Sequence, residues 1–271
     1  CVSSQAGCAM ACRFCDTGLL GGAGPALGVP AWAILEQVLH ADAFLQREGL
    51  AAPGRPGGAG GRRPANVVFM GMGEPLLNYG PVLEAARALG QGARARRVTV
   101  STVGVAPRIS ALARDAPPGL RLALSLHAPE QALRLRLLPV AAKAWPLQQV
   151  LQSVRAFEEA TGSAVLLEYI LIQSVNDQDG HADALAELIR SERLGCAGVN
   201  LIPYNPTEAG AAAGFLPPSD AQCKAFRARL RRAGVPNATV RFSTKAGRGV
   251  AAACGQLGLG LNRAAAGLGP R

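Results

Sequence analysis

Cys1-Val-Ser-Ser-Gln-Ala-Gly-Cys8-Ala-Met-Ala-Cys12-Arg-Phe-Cys15 opens the chain, and the architecture behind it has to support whatever these cysteines bind. Cys8, Cys12 and Cys15 follow the spacing Cys-x3-Cys-x2-Cys. A cubane iron-sulfur cluster normally takes four thiolates, so a loop that supplies three leaves one iron open to a ligand that is not protein. Gly7 permits a sharp bend into the loop, the small Ala9 and Ala11 allow close backbone approach, and Phe14 can shield the sulfurs from water. A structural zinc site would show two Cys-x2-Cys pairs or a Cys/His set, and no second pair follows downstream. A disulfide framework expects a short secreted chain, whereas seven cysteines in 271 residues, an odd number, fit a reducing compartment better. Spacing places a 4Fe-4S cluster ahead of zinc or disulfides, and the rest of the chain has to decide.

Outward from this loop, short apolar β-branched runs alternate with amphipathic stretches of helical period. That is the pattern of βα units around a parallel sheet. A short strand over 1–5 leads into the cysteine loop. Further strands are predicted over 66–72, 97–102, 120–126, 164–172, 198–203 and 238–243; helices start near Pro30 and cover 147–160, 181–193 and 219–233, among others. Six parallel strands with five crossover helices make an α/β fold, a partial (βα)6 barrel left open on one side. Working residues in such folds sit at the C-terminal ends of the strands. Here those ends are small or polar: Gly71-Met-Gly73-Glu74, Ser101-Thr-Val-Gly104, Ser125-Leu126-His127, Glu168-Tyr169 and Asn200 to Asn205. Residues 51–65 contain eight Gly or Pro in fifteen positions and read as a disordered insertion within a core domain spanning 1–245. Residues 246–271 form a C-terminal segment carrying Cys254.

The balance is basic, 28 Lys+Arg against 18 Asp+Glu, which suits a polyanionic partner without requiring one. Arg94-Ala-Arg96-Arg97 and Arg227 to Arg232 are the candidate basic segments. No run of eighteen apolar residues is present, so no membrane span is expected. The chain begins with Cys rather than Met and reads as a trimmed domain with no targeting segment before it. A cytoplasmic setting follows from the reducing compartment, with an organelle as the alternative for a chain that has lost a transit peptide.

The strand ends also carry a resemblance. CVSSQ-x-GC, VVFMGMGEPLLN, VTVSTVGVAPRI, LALSLHAP, LEYILI-x2-VND, VNLIPYNP and AACGQL occur in this order across nearly the whole chain. Together they resemble the RlmN/Cfr-type methyltransferases of the radical S-adenosylmethionine (SAM) superfamily, which methylate an adenine ring carbon in RNA. The resemblance implies that Cys8, Cys12 and Cys15 hold a 4Fe-4S cluster whose open iron chelates SAM. It implies SAM contacts at Gly73, Glu74, Ser101, Ser125, Leu126, His127 and Asn205. Cys254 would take a methyl group from one SAM, a radical from a second SAM would activate that S-methyl group, and Cys1 would release the RNA adduct by forming a disulfide with Cys254. Such a route suits a ring carbon too electron-poor to attack a sulfonium methyl group itself. The implied acceptor is C2 or C8 of adenine in 23S-type large-subunit rRNA, with tRNA as a second substrate. The implied partners are RNA and an electron donor such as flavodoxin or ferredoxin, and the implied state is a monomer.

Departures from the family pattern open two other functions. Lys245-Ala-Gly-Arg-Gly-Val250 lacks the acidic pair that precedes the family's methylated cysteine, the loop after Cys15 lacks basic residues, and the family's N-terminal RNA-binding domain is not seen. A radical SAM enzyme with a different acceptor, or a non-catalytic RNA-binding homologue, would tolerate these changes. Cys196 and Cys223 match nothing catalytic, His40 reads as a helix-edge residue, and His181 reads as a capping residue.

Overall fold

The computed structural model describes residues 1–21, 26–48, 66–91, 97–243 and 253–257. The insertion expected over 51–65, the basic segment 94–96 and most of 246–271 lie outside the described residues. β1 (Gln5–Ala6) pairs antiparallel with β2 (Leu27–Gly28), and α1 (Ala31–Arg47) follows. Six parallel strands then build the main sheet: β3 (Asn66–Phe69), β4 (Arg97–Thr102), β5 (Leu120–Ser125), β6 (Leu166–Leu171), β7 (Gly198–Pro203) and β8 (Ala238–Val240).

Helices fill the intervals in the order α2 (Tyr79–Gln91), α3 (Ala106–Asp115), α4 (Gln131–Leu137), α5 (Pro139–Ala144) and α6 (Leu147–Thr161). They continue with α7 (Asp179–Ser191), α8 (Glu208–Ala212) and α9 (Asp220–Arg232). Each strand pairs with its sequence neighbour, from β3 through to β8. Parallel strands in strict chain order, joined by crossovers of one hand, put the helices on one face, so the sheet curls and the strand ends gather at one mouth. That is the partial α/β barrel expected from the sequence.

Burial explains the strand composition. β6 and β7 are buried along almost their whole length, as parallel strands covered on both faces must be. On α6, Leu147, Val150, Leu151, Val154 and Phe157 repeat at helical spacing and all lie buried in the layer between helices and sheet. A second, smaller core sits at the mouth, where Met10, Phe14, Leu133, Leu137 and Ile172 pack with the three cysteines. Ser219 caps α9 by accepting from the Gln222 N–H at 3.1 Å, and His181 completes the N-terminal capping box of α7 with Gln178.

Two strand expectations need correction. The strand over 1–5 shrinks to one parallel bridge between Val2 and Phe69, because Ser4 and Gln5 both turn to donate to the Met72 carbonyl, at 2.9 and 3.2 Å. The last strand stops at Val240 rather than Ser243. None of the described helices is long and apolar enough to cross a membrane.

Candidate functional site

The strand ends surround one cavity of about 880 Å³, counting the space open to solvent at its mouth. Cys8, Cys12 and Cys15 line one wall, and Phe14 between them meets His127 edge-on with ring centroids 4.9 Å apart. The loop turns as its composition suggests, with Gly7 at φ 87° and Ala11 at φ 48°. Burial pushes the Cys8 thiol up to about 11 and also raises those of Cys12 and Cys15. Without a bound metal these sulfurs hold their protons, which a metal would displace.

Among the described residues, no three Cys, His, Asp or Glu side chains converge on a point where one ion could be shared. A cubane differs, since each thiolate binds its own iron. The three separated, half-buried cysteines in a short loop, with an apolar shell, fit a three-cysteine cluster.

The strand ends add polar groups to the lining. Ser101 and Ser125, at the ends of β4 and β5, stand with hydroxyl oxygens 3.4 Å apart and both line the cavity. His127 sits at φ 60°, and its Nδ1 accepts from the Ile170 N–H at 3.0 Å. Burial, with the Arg134 charge, drives its pKa down to about 3, so the ring is neutral and its proton is on Nε2, the one donor it can offer a ligand. Gly73 adopts φ 101°, and a Cβ there would lie 2.6 Å from the Gln5 side chain, whose Oε1 accepts from the Glu74 N–H at 2.8 Å.

The Glu74 carboxylate accepts from the N–H groups of Leu76 (3.1 Å) and Val103 (2.9 Å), and the Thr102 side chain also supports its charged form. Burial nonetheless raises its pKa to about 7. Leu126 and Asn205, also expected to contact SAM, do not line the cavity. The Leu126 N–H is engaged by the Glu168 carbonyl at 3.0 Å, and Asn205 donates to the Cys254 carbonyl at 3.2 Å.

That last bond is part of a strap. The Asp16 N–H donates to the Gly255 carbonyl at 2.8 Å, the Thr17 hydroxyl to the Leu257 carbonyl at 3.1 Å, and Gln256 Nε2 to the Pro206 carbonyl at 2.9 Å. Four hydrogen bonds thus pin residues 254–257 to the cysteine loop and to the turn after β7. Gly255 is a close-packed position at φ 85° whose Cβ would lie 3.0 Å from the Phe14 carbonyl. The strap sets Cys254 on the cavity wall with the cluster cysteines. Crowding around its sulfur raises the thiol pKa, and the Glu168 carboxylate adds to this.

The expected disulfide is absent: Cys1 and Cys254 are both free thiols, and Cys1 does not line the cavity. The Val2 bridge to Phe69, the last residue of β3, holds Cys1 beside that strand. Cys223 is buried and Cys196 half-buried, in keeping with structural thiols.

Three residues take roles that sequence reasoning did not give them. Glu168 lines the cavity, buried, and accepts from Asn200 at 2.9 Å. Arg229 is not free for a polyanion, since it bonds Asp179 and Asp183. Asn176, fully buried, holds three backbone groups together: its Oδ1 accepts from the Ile172 N–H at 2.7 Å while Nδ2 donates to the carbonyls of His127 (2.9 Å) and Ile170 (2.6 Å). Asn176→Ala leaves all three unpaired and is expected to lower stability by about 3 kcal/mol or more, measured by urea unfolding. A loss under about 1 kcal/mol would show that water or backbone shifts replace them.

The ordered parallel sheet, with a three-cysteine loop at its mouth, defines a radical SAM barrel. A radical SAM methyltransferase from Sphaerobacter thermophilus superposes with a TM-score of 0.81 at 40% identity, over 94% of this chain and 69% of its own. No protein-family model matches the sequence. The dual-specificity RNA methyltransferase RlmN of Mycolicibacterium smegmatis is 46% identical over 264 residues, 95% of this chain and 67% of that protein. Its Frankia casuarinae counterpart is 46% identical over 263 residues, and the chain spans 58% of that relative's length. The chain belongs to the RlmN family of radical SAM RNA methyltransferases.

Proposed function

We propose that this chain carries the catalytic domain of an RNA methyltransferase that moves a methyl group from SAM to an adenine ring carbon, C2 or C8. The acceptors are large-subunit rRNA and tRNA, and a flavodoxin or ferredoxin supplies the electron. The observation that supports this most is the placing of Cys254 on the same cavity wall as Cys8, Cys12 and Cys15, although 239 positions separate it from Cys15. A cluster held by those three cysteines, with SAM on its open iron, would supply the one-electron chemistry that an electron-poor ring carbon requires.

The chain's own groups have separate tasks. Cys254 gives up its thiol proton and takes the sulfonium methyl group, forming a thioether. Ser101, Ser125 and the His127 Nε2–H offer hydrogen bonds to the polar parts of SAM, while Met70, Ile170 and Ile202 give its adenine an apolar wall. Phe14 and the mouth core keep water from the sulfurs. Cys1, an exposed thiol outside the cavity lining, is assigned the release of the Cys254-linked RNA adduct by forming a disulfide with Cys254, which requires the two to approach during turnover.

The test is to incubate anaerobically reconstituted protein with methyl-deuterated SAM, a reductant and rRNA fragments, then digest the RNA for mass spectrometry. Deuterium in a ring-methylated adenosine is expected. Label confined to ribose or to exocyclic nitrogen, or absent altogether, would overturn the reading.

A further inference from the structure

Arg134 lies on α4 at 0% exposure and is the largest fully buried side chain among the described residues. Its terminal nitrogens donate to the carbonyls of Val103 and, at 3.4 Å, Trp145, and its Nε has no partner. None of the ion pairs among the described residues includes it. A guanidinium keeps its charge in proteins, and a buried charge without a counter-ion is strongly unfavourable. Something anionic has to offset it.

The surroundings identify the kind of anion. α4 is bonded to the cysteine loop, with the Arg13 N–H donating to the Leu137 carbonyl at 3.0 Å, and Leu133 and Leu137 pack with Met10, Phe14 and the three cysteines. The Arg134 charge is felt by His127, which is neutral, and by Cys12, which becomes anionic on binding metal. A Cβ at Gly104 would meet the Val150 methyls at 2.7 and 3.0 Å and Arg134 Nη2 at 3.2 Å, so the glycine keeps room for both side chains.

We propose that Arg134 is the counter-ion of the thiolate-ligated cluster and a positioning residue that makes its reduction easier. This rests on the cluster reading of Cys8, Cys12 and Cys15 given above. Three thiolates make the assembly anionic, and adding an electron makes it more so. A fixed positive charge in a dry setting favours the reduced state. Removing it lowers the midpoint potential.

The experiment is an EPR-monitored redox titration of reconstituted wild-type protein, Arg134→Gln and Arg134→Lys. Gln can still donate to a carbonyl but carries no charge; Lys keeps the charge and loses the planar fork. At a fixed solution potential the ratio of reduced to oxidised cluster should fall about tenfold in R134Q, equivalent to about 59 mV for one electron, and stay near wild type in R134K. An R134Q potential equal to wild type overturns the proposal. Should R134Q fail to assemble a cluster, retention by R134K supports the charge, and loss in both assigns Arg134 a purely structural role and overturns it. Wild-type protein without iron would remove the cluster reading itself, a failure distinct from an unmoved potential.

Discussion

Cys254→Ala is expected to lower methyl transfer to RNA by about 10³-fold or more while leaving iron content and SAM binding unchanged. The strap makes this separation possible. Asn205 and Asp16 grip residues 254 and 255 through main-chain carbonyls, so the substitution removes the sulfur without releasing the segment. If Cys254 merely filled the cavity wall, losing it would open the SAM pocket and weaken binding, and transfer would fall by the same modest factor. Isothermal titration with SAM and mass spectrometry of the RNA distinguish these outcomes. Ring-methylated adenosine at the wild-type rate from the Cys254→Ala protein would rule out a methylated cysteine in the route.

The barrel was legible because its strands obey two simple patterns, apolar runs where both faces are covered and small or polar residues where each strand ends. Ser101, Ser125 and His127 were therefore found at strand ends, and they do face one cavity. The three-cysteine loop was legible from spacing alone. The strap was not, because its acceptors are main-chain carbonyls, which leave no mark in composition. Asn205 shows the consequence: its type and place are visible in sequence, but not that its amide donates to the Cys254 carbonyl.

Arg134 was hidden for a related reason. Arg134 and Arg136 alternate in the run Leu133 to Leu137 and look alike in sequence, but only the first turns inward. Which of the two is buried depends on how α4 docks against the cysteine loop, a tertiary fact. Asn176 is similar, since a Val-Asn-Asp stretch signals a turn without saying that the amide reaches back to His127.

Replacing Cys8, Cys12 and Cys15 together with Ala is expected to reduce iron in the anaerobically reconstituted protein from about four atoms per chain to background. The remaining cysteines offer no substitute: Cys254 lines the cavity but is a single thiolate, Cys223 is buried, and Cys196 and Cys1 do not line the cavity. Iron counts alone would not show that one iron is open. The EPR spectrum of the reduced wild-type protein, recorded before and after adding SAM, tests that directly. A three-cysteine site predicts a changed spectrum, because SAM becomes a ligand of the cluster. A spectrum that SAM leaves unaltered, or one that persists in the triple variant, would contradict the assignment of this cavity.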